Sequence, residues 1–272
     1  MEINRTNIFQ ILKNCGIHPD KDFGQNFLVD PKISNRIVES LSIQKNEKVL
    51  EIGPGLGSLT HFLSQYEGID LTVVDIDPNM IAFLNAFYKE NEFKIVENDM
   101  RKEDVSTYDK IIANLPYNIT TEAIIYLLLN AKNVKKMVLM IQSEALNRFV
   151  DVKGKDYCAA SVLVHLLGDI KRLFNVGKGA FVPAPKVDSV VFEINIDENK
   201  DKEDAIKVYK FAKALFLQRR KTIYNNLSKY IGNKELAEKS LNELNIPLNA
   251  RPEEISPESF KKLYFVVKNV VK

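Results

Sequence analysis

Apolar positions along this chain follow two rhythms. Short, mostly apolar runs rich in Val, Ile and Leu occur at "KVLEIG" (48–53), "LTVVDI" (71–76), "FKIVE" (93–97), "KIIAN" (110–114) and "KMVLMI" (136–141), each bounded by charged or turn residues. That signature is a strand's. Between them, "PNMIAFLNAFY" (78–88) and "TEAIIYLLLN" (121–130) place apolar residues at helical spacing. Pro78 suits the first turn of its helix, where a missing N–H costs nothing. Strands alternating with helices predict a parallel, doubly wound sheet. The run "SVLVHLL" (161–167) reads equally as helix or strand, and "DSVVFEINI" (188–196) reads as a strand after the proline-rich loop "FVPAPK".

The rhythm changes at "DENKDKED" (197–204), which has no apolar residue and marks a domain boundary. Beyond it every apolar pattern is helical, ending in "SPESFKKLYFVVK", where Ser256 is placed to cap a helix. The expected architecture is α/β: a Rossmann-like domain over 1–198 and a small all-helical domain over 199–272. There is no internal repeat.

Composition narrows the class. With 272 residues, 45% hydrophobic and 27% charged, the chain is ordinary globular material. No run reaches the length of a membrane span, and "MEINRTNIFQ" lacks a signal-peptide layout. Cys15 and Cys158 stand far apart, so neither a disulfide framework nor a zinc site is expected. His18, His61 and His165 are scattered, and no metal is predicted. A cytoplasmic location is expected. Net charge is only +2, but residues 200–272 carry 16 Lys+Arg against 9 Asp+Glu, while the rest carries 22 against 27. A basic tail on a slightly acidic body suits a polyanionic partner, although a solvated helical surface has the same composition.

"VLEIGPGLGSLTHFL" is a strand, a turn with Gly53, Gly55 and Gly57, and a helix. Such a turn lets a ligand approach the backbone and offers it the free N–H groups of a helix start. Asp75 ends the next strand, where a carboxylate can accept from both hydroxyls of a ribose. The spacing differs from the dinucleotide fingerprint G-x-G-x-x-G. With Glu51 it reads E-x-G-x-G-x-G, which resembles the first motif of S-adenosylmethionine-dependent methyltransferases. Asp77, beside Pro78, is expected to cap a helix. Asp99 follows the third strand, where folds of this kind place a carboxylate near the cofactor's adenine amino group.

"IIANLPYNIT" (111–120) ends a strand with Asn114, Leu115, Pro116 and Tyr117. In an open α/β sheet that position faces the ligand. An exocyclic amine conjugated to a ring is a poor nucleophile. Two acceptors that hold its N–H bonds, the Asn114 side-chain oxygen and the Leu115 carbonyl, can free its lone pair. Pro116 stiffens the turn, and the Tyr117 ring offers a stacking face worth about 1–3 kcal/mol. The tetrad by itself specifies a planar amine or amide. Asn118 has no role that can be derived.

Three further stretches, "DFGQNFLVD" (22–30), "GAFVPAPKVDSVV" (179–191) and "FLQRRKTIYNNL" (216–227), join "EIGPGLG" and "NLPYNI". Together they closely resemble the small-subunit ribosomal RNA adenine dimethyltransferases, the kasugamycin-sensitivity enzymes, over about residues 18–263. The resemblance implies S-adenosylmethionine as cofactor and two methyl transfers to N6 of each of two adjacent adenosines near the 3′ end of small-subunit rRNA. It implies a monomer acting on an immature 30S particle. Asn26 and Leu28 would close over the cofactor. Gly53, Gly55, Asp75, Asp99 and Asn114 would line its site. Phe181 would face Tyr117 across the target base, with a core aromatic as the other use of that ring. Arg219, Arg220 and Lys221 would contact phosphates and fix register, and Lys171, Arg172, Lys178 and Lys186 could extend that track. The N-terminal segment is less basic than the family's usual one, and Cys158-Ala159 departs from its usual residues. The rivals are the large-subunit methyltransferases of macrolide resistance, a mitochondrial transcription-factor relative, and a small-molecule methyltransferase. The proline in the glycine turn, Asn-Leu-Pro-Tyr and "QRRKT" separate the chain from the first. The lack of an Arg/Ser-rich leader argues against the second, and the basic tail against the third.

Overall fold

The structure is a computed structural model, and it describes residues 2–19, 24–88, 92–116 and 119–269. In chain order the elements are α1 (Ile8–Asn14), β1 (Phe27–Leu28), α2 (Pro31–Ser40), β2 (Lys48–Ile52), α3 (Thr60–Leu63), β3 (Asp70–Asp75), α4 (Pro78–Phe87), β4 (Lys94–Glu97), β5 (Lys110–Asn114), α5 (Thr120–Asn130) and β6 (Lys136–Gln142). Then come α6 (Asn147–Val150), α7 (Ala159–Leu167), β7 (Gly168–Val176), β8 (Phe181–Val182), β9 (Ser189–Ile196), α8 (Lys202–Phe216), α9 (Ile223–Ile231), α10 (Lys234–Glu243) and α11 (Pro257–Val267).

Seven strands form one sheet in the order β4-β3-β2-β5-β6-β9-β7. Strands β2 to β6 pair in parallel, with Ile52 opposite both Val74 and Ala113. The sheet is mixed, not wholly parallel, because β9 runs antiparallel to β6, with Met140 opposite Val191. The central strands are near-continuous apolar runs because they are buried: Leu50, Ile112, Val138 and Val191 have no exposed surface. Truncating one of them to Ala would cost about 2–5 kcal/mol. The ambiguous run 161–167 is helical and belongs to α7. The edge strand β7, "GDIKRLFNV", was not anticipated: its mix of charged and half-exposed residues lacks strand alternation.

Backbone contacts divide the chain into two compact units. One joins Met1–Ala145 to Lys171–Ile196 and holds the sheet. The other joins Leu146–Ile170 to Asp197–Lys272. The polar stretch at 197–204 does coincide with a boundary, but a single cut at 198/199 leaves out residues 146–170, whose α7 packs with α8 and α11. In this helical unit, edge-on and tilted rings stack in series: Tyr157 lies 5.4 Å from Phe216, and Phe216 5.5 Å from Phe260. Its helices α8 to α11 are capped by side chains: Asp201, Thr222, Asn233 and Ser256 each accept from an N–H in the first turn. Gly232, with φ of 71°, ends α9 in the left-handed conformation.

Candidate active site

Because β2, β3, β4 and β5 are parallel and in register, their carboxyl ends lie side by side. A cavity of about 280 Å³ opens there, close to the lower end of typical ligand pockets. It is walled by Gly53–Gly55 after β2, Asp75–Asp77 after β3, Asn98–Arg101 after β4, and Asn114–Pro116 after β5. Gly24–Leu28 cover it. That cover is held by pairing: β1 joins β8, with Leu28 opposite Phe181, and the Ser58 hydroxyl donates to the Leu28 carbonyl at 2.6 Å.

The glycine turn is shaped for close approach. Gly53 has φ of +65°, and a Cβ there would meet no atom within 4 Å, so the bare backbone faces open space. The Gly53 N–H continues the sheet to the Val74 carbonyl at 2.9 Å. Gly55 donates to Asp75 Oδ2 at 3.3 Å, and Asp77 N–H to Oδ1 at 3.0 Å. With the Ile76 N–H also bonded to it, the Asp75 carboxylate keeps acceptor capacity for a further donor such as a ribose hydroxyl. Burial pushes the Asp75 carboxyl up, and those N–H groups oppose the push. Asp77 caps α4 through the Asn79 N–H, as its position before Pro78 predicted, and also accepts from the Gln25 amide at 2.7 Å.

Asp99 lines the cavity too, but its carboxylate already grips Arg101 at 2.7 Å, and that bond holds it below the usual carboxylate range. Arg101 was not singled out from sequence, and a lone arginine in a turn carries no signal. At the end of β5, Asn114 stands half-buried on the wall. The Leu115 N–H bonds the Met140 carbonyl at 3.0 Å, extending the sheet. The Pro116 carbonyl accepts from the Thr120 hydroxyl at 3.0 Å, which fixes the turn to the first residue of α5. Tyr117 and Asn118 lie outside the described residues.

Asn26 and Leu28 line the cavity, and the Asn26 amide donates to the Gly24 carbonyl at 3.0 Å. Phe181 departs from its expected place. Its ring is 1% exposed, sits in the main apolar cluster and does not line the cavity. Pairing of β8 with β1 turns this residue into the core, which is the second use the sequence left open. Glu51 is the functional candidate that the motif contained but that received no role. It lines the cavity, is 1% exposed and accepts from the Thr60 hydroxyl at 2.7 Å. Burial, with the Asp75 charge adding to it, pushes its carboxyl from 4.5 up to about 8. An acid inside an otherwise apolar strand was the available signal. Ile76, 49% exposed on the cavity wall next to Asp75, adds a flat apolar surface.

Arg219, Arg220 and Lys221 belong to the helical unit, in the turn between α8 and α9. The Asn226 amide fixes that turn by donating to the Leu215 and Gln218 carbonyls at 3.0 and 3.1 Å. Arg220 and Lys221 are exposed, whereas Arg219 is half-buried. Among the described residues no cluster of ligating side chains fits a metal ion, and no helix is long and apolar enough to cross a membrane.

The open Gly53 backbone, the half-buried Asp75 and the apolar Ile76 suit a nucleoside with a charged tail. A sequence model of the family "Ribosomal RNA adenine dimethylase" matches residues 18–268. The chain is similar to Ribosomal RNA small subunit methyltransferase A of Malacoplasma penetrans, at 38% identity over 93% of this chain and 94% of the relative. It is 37% identical to the protein of that name from Borrelia garinii, over 94% and 91%. Two crystal structures share its fold. The dimethyladenosine transferase of Plasmodium falciparum has a TM-score of 0.76 at 24% identity, covering 90% of this chain and 98% of that one. The 23S rRNA methyltransferase ErmE has a TM-score of 0.69 at 22% identity, covering 89% and 100%. This chain belongs to the ribosomal RNA adenine dimethylase family, whose members dimethylate adenosines of ribosomal RNA with S-adenosylmethionine as methyl donor.

Proposed function

We propose that the protein dimethylates N6 of two adjacent adenosines near the 3′ end of 16S rRNA, in an immature 30S particle, acting as a monomer in the cytoplasm. The observation that carries this reading is the cavity at the strand ends, where Asn114, Leu115 and Pro116 share one wall system with Asp75 and the open Gly53 backbone. The 34–38% identity to small-subunit relatives supports the choice of substrate RNA.

S-adenosylmethionine supplies the electrophilic methyl group. The protein's own residues bind it and prepare the amine. Gly53 and Gly55 let it approach the backbone, Asp75 holds the ribose and Asn26 and Leu28 shield it from water. Asn114 Oδ1 and the Leu115 carbonyl accept the two N–H bonds of the target amine and draw the nitrogen away from conjugation with the ring. Such preorganised polar contact requires no titrating base. The base has to leave its stack to reach this site, and Tyr117 provides the face that receives it. The helical unit supplies phosphate contacts that set register.

Immature small subunits lacking the modification, incubated with methyl-labelled S-adenosylmethionine, should gain label at N6 of two adjacent adenosines of 16S rRNA. Label on 23S rRNA, or none, would overturn the assignment.

A further inference from the structure

We propose that the loop Asp151–Cys158 of the helical unit is a second rRNA-contacting strip, and that Arg219 is the positioning residue that holds it. The inference rests on the reading of this unit as RNA-binding. Arg219 Nη2 donates to the Lys155 carbonyl at 2.9 Å and the Gly154 carbonyl at 3.3 Å. Its Nε lies 3.8 Å from Glu253 Oε2. The Gly154 N–H bonds the Glu253 carbonyl at 2.9 Å, so arginine and glutamate hold the same loop from two sides. At the loop's far end Tyr157 is fully buried against Phe216. A guanidinium has five donors in a fixed fork, and here the fork is directed at backbone carbonyls of the chain itself.

The strip so held carries Lys153 and Lys155, both exposed, between the half-buried Asp151 and Asp156, so the lysines are its outermost charges. Among the described residues neither they nor Arg220 and Lys221 form an ion pair. The Arg219 bonds bring the Lys155 backbone against the 218–221 turn, so the segment with Lys153 and Lys155 meets the segment with Arg220 and Lys221 at a fixed arginine. A polyanionic backbone of regular charge spacing suits that arrangement, and phosphate contact there positions the RNA without reading its sequence.

The test is a salt titration of small-subunit binding to the full-length protein. Replacing Lys153 and Lys155 with Ala should lower the slope of log K against log salt by about 1.5, at roughly 0.7–0.9 per phosphate contact. Arg219→Gln should cost as much as the double lysine variant or more, and in that background the lysine changes should add almost nothing. Thermal melting and limited proteolysis separate loop release from global unfolding: the Arg219 variant should be cut within 151–158 while its melting point moves little. Arg220→Ala with Lys221→Ala serves as the control. A fall in slope for that control with none for the lysine pair, or full additivity between Arg219 and the lysines, would overturn the inference alone. No fall for any variant would overturn the RNA-binding reading of the unit.

Discussion

The sheet unit and the helical unit place charge in opposite environments. Around the cavity, carboxylates are wholly or partly buried and fastened: Glu51 to Thr60, Asp75 to backbone N–H groups, Asp99 to Arg101. In the helical unit Lys153, Lys155, Arg220 and Lys221 stand in water. Low dielectric makes each polar group of the cavity worth more and its misplacement costlier. Exposed cations contribute in small, salt-screened increments. Damage to the first region should therefore be abrupt and insensitive to salt, and damage to the second graded and salt-dependent.

The largest expected effect tests the abrupt side. On the proposed mechanism Asn114→Ala removes one of two acceptors for the target amine, and loss of a preorganised polar contact of this kind costs about 100- to 1000-fold in turnover. Cofactor affinity should fall only modestly, because the Asp75 contacts and glycine turn remain. Single-turnover methylation beside a binding titration separates the two. Near-normal turnover would show that the cavity wall does not activate the amine.

Glu51→Gln comes next. The Glu51 carboxyl is raised from 4.5 to about 8, so the folded protein holds its proton more tightly than the unfolded chain does. That contribution is complete below pH 4.5 and is lost as pH rises through about 8. The ligand-free wild type and the Gln variant should have similar urea midpoints near pH 4.5. At pH 9 the variant should be the more stable, by on the order of a few kcal/mol. Equal midpoints at pH 9 would place Glu51 in a wetter site than its 1% exposure implies.

The cavity residues also mark what the sequence discloses. Asn114 and Asp75 end apolar strands that are legible because both faces of a central strand are buried, and the position of a strand end then follows. Gly53 is legible because its local backbone needs a positive φ. What stayed hidden depends on partners distant in sequence. Phe181 is buried because β8 pairs with β1 across the chain, and its own neighbours "GAFVP" give no hint of that. The edge strand β7 hides behind charged residues. Residues 146–170 group with the helical unit through packing that no local polar stretch announces. Arg219 reads as one of three cations in a row, and only the carbonyls of Gly154 and Lys155 distinguish it.

An ion pair in the sheet sharpens the comparison at smaller scale. Lys136 reaches Glu193 at 2.9 Å between β6 and β9, with side chains only 17% and 13% exposed. Lys136→Met would leave Glu193 poorly hydrated, with the Asn195 amide still donating to it. The cost should be about 2–3 kcal/mol, read from urea unfolding. Raising salt to 1 M should change it little, because the pair is shielded from counterions.

Lys207 in α8 supplies the opposite case and the smallest effect. It lies 3.9 Å from Glu203 and 3.7 Å from Asp204, one turn back, and its side chain is 53% exposed. Both acids sit in the first turn, where the helix dipole already favours negative charge, so they keep a stabilising partner when the lysine goes. An exposed pair at this spacing is worth about 0.3–0.5 kcal/mol. Lys207→Met should therefore destabilise by less than about 0.5 kcal/mol, and the difference should vanish in 1 M salt, where the screening length is about 3 Å. A loss near that of Lys136→Met, or one that persists in salt, would mean that the helical surface holds its charges as firmly as the sheet does. The graded, salt-dependent behaviour expected of the proposed rRNA contacts would then lose its physical basis.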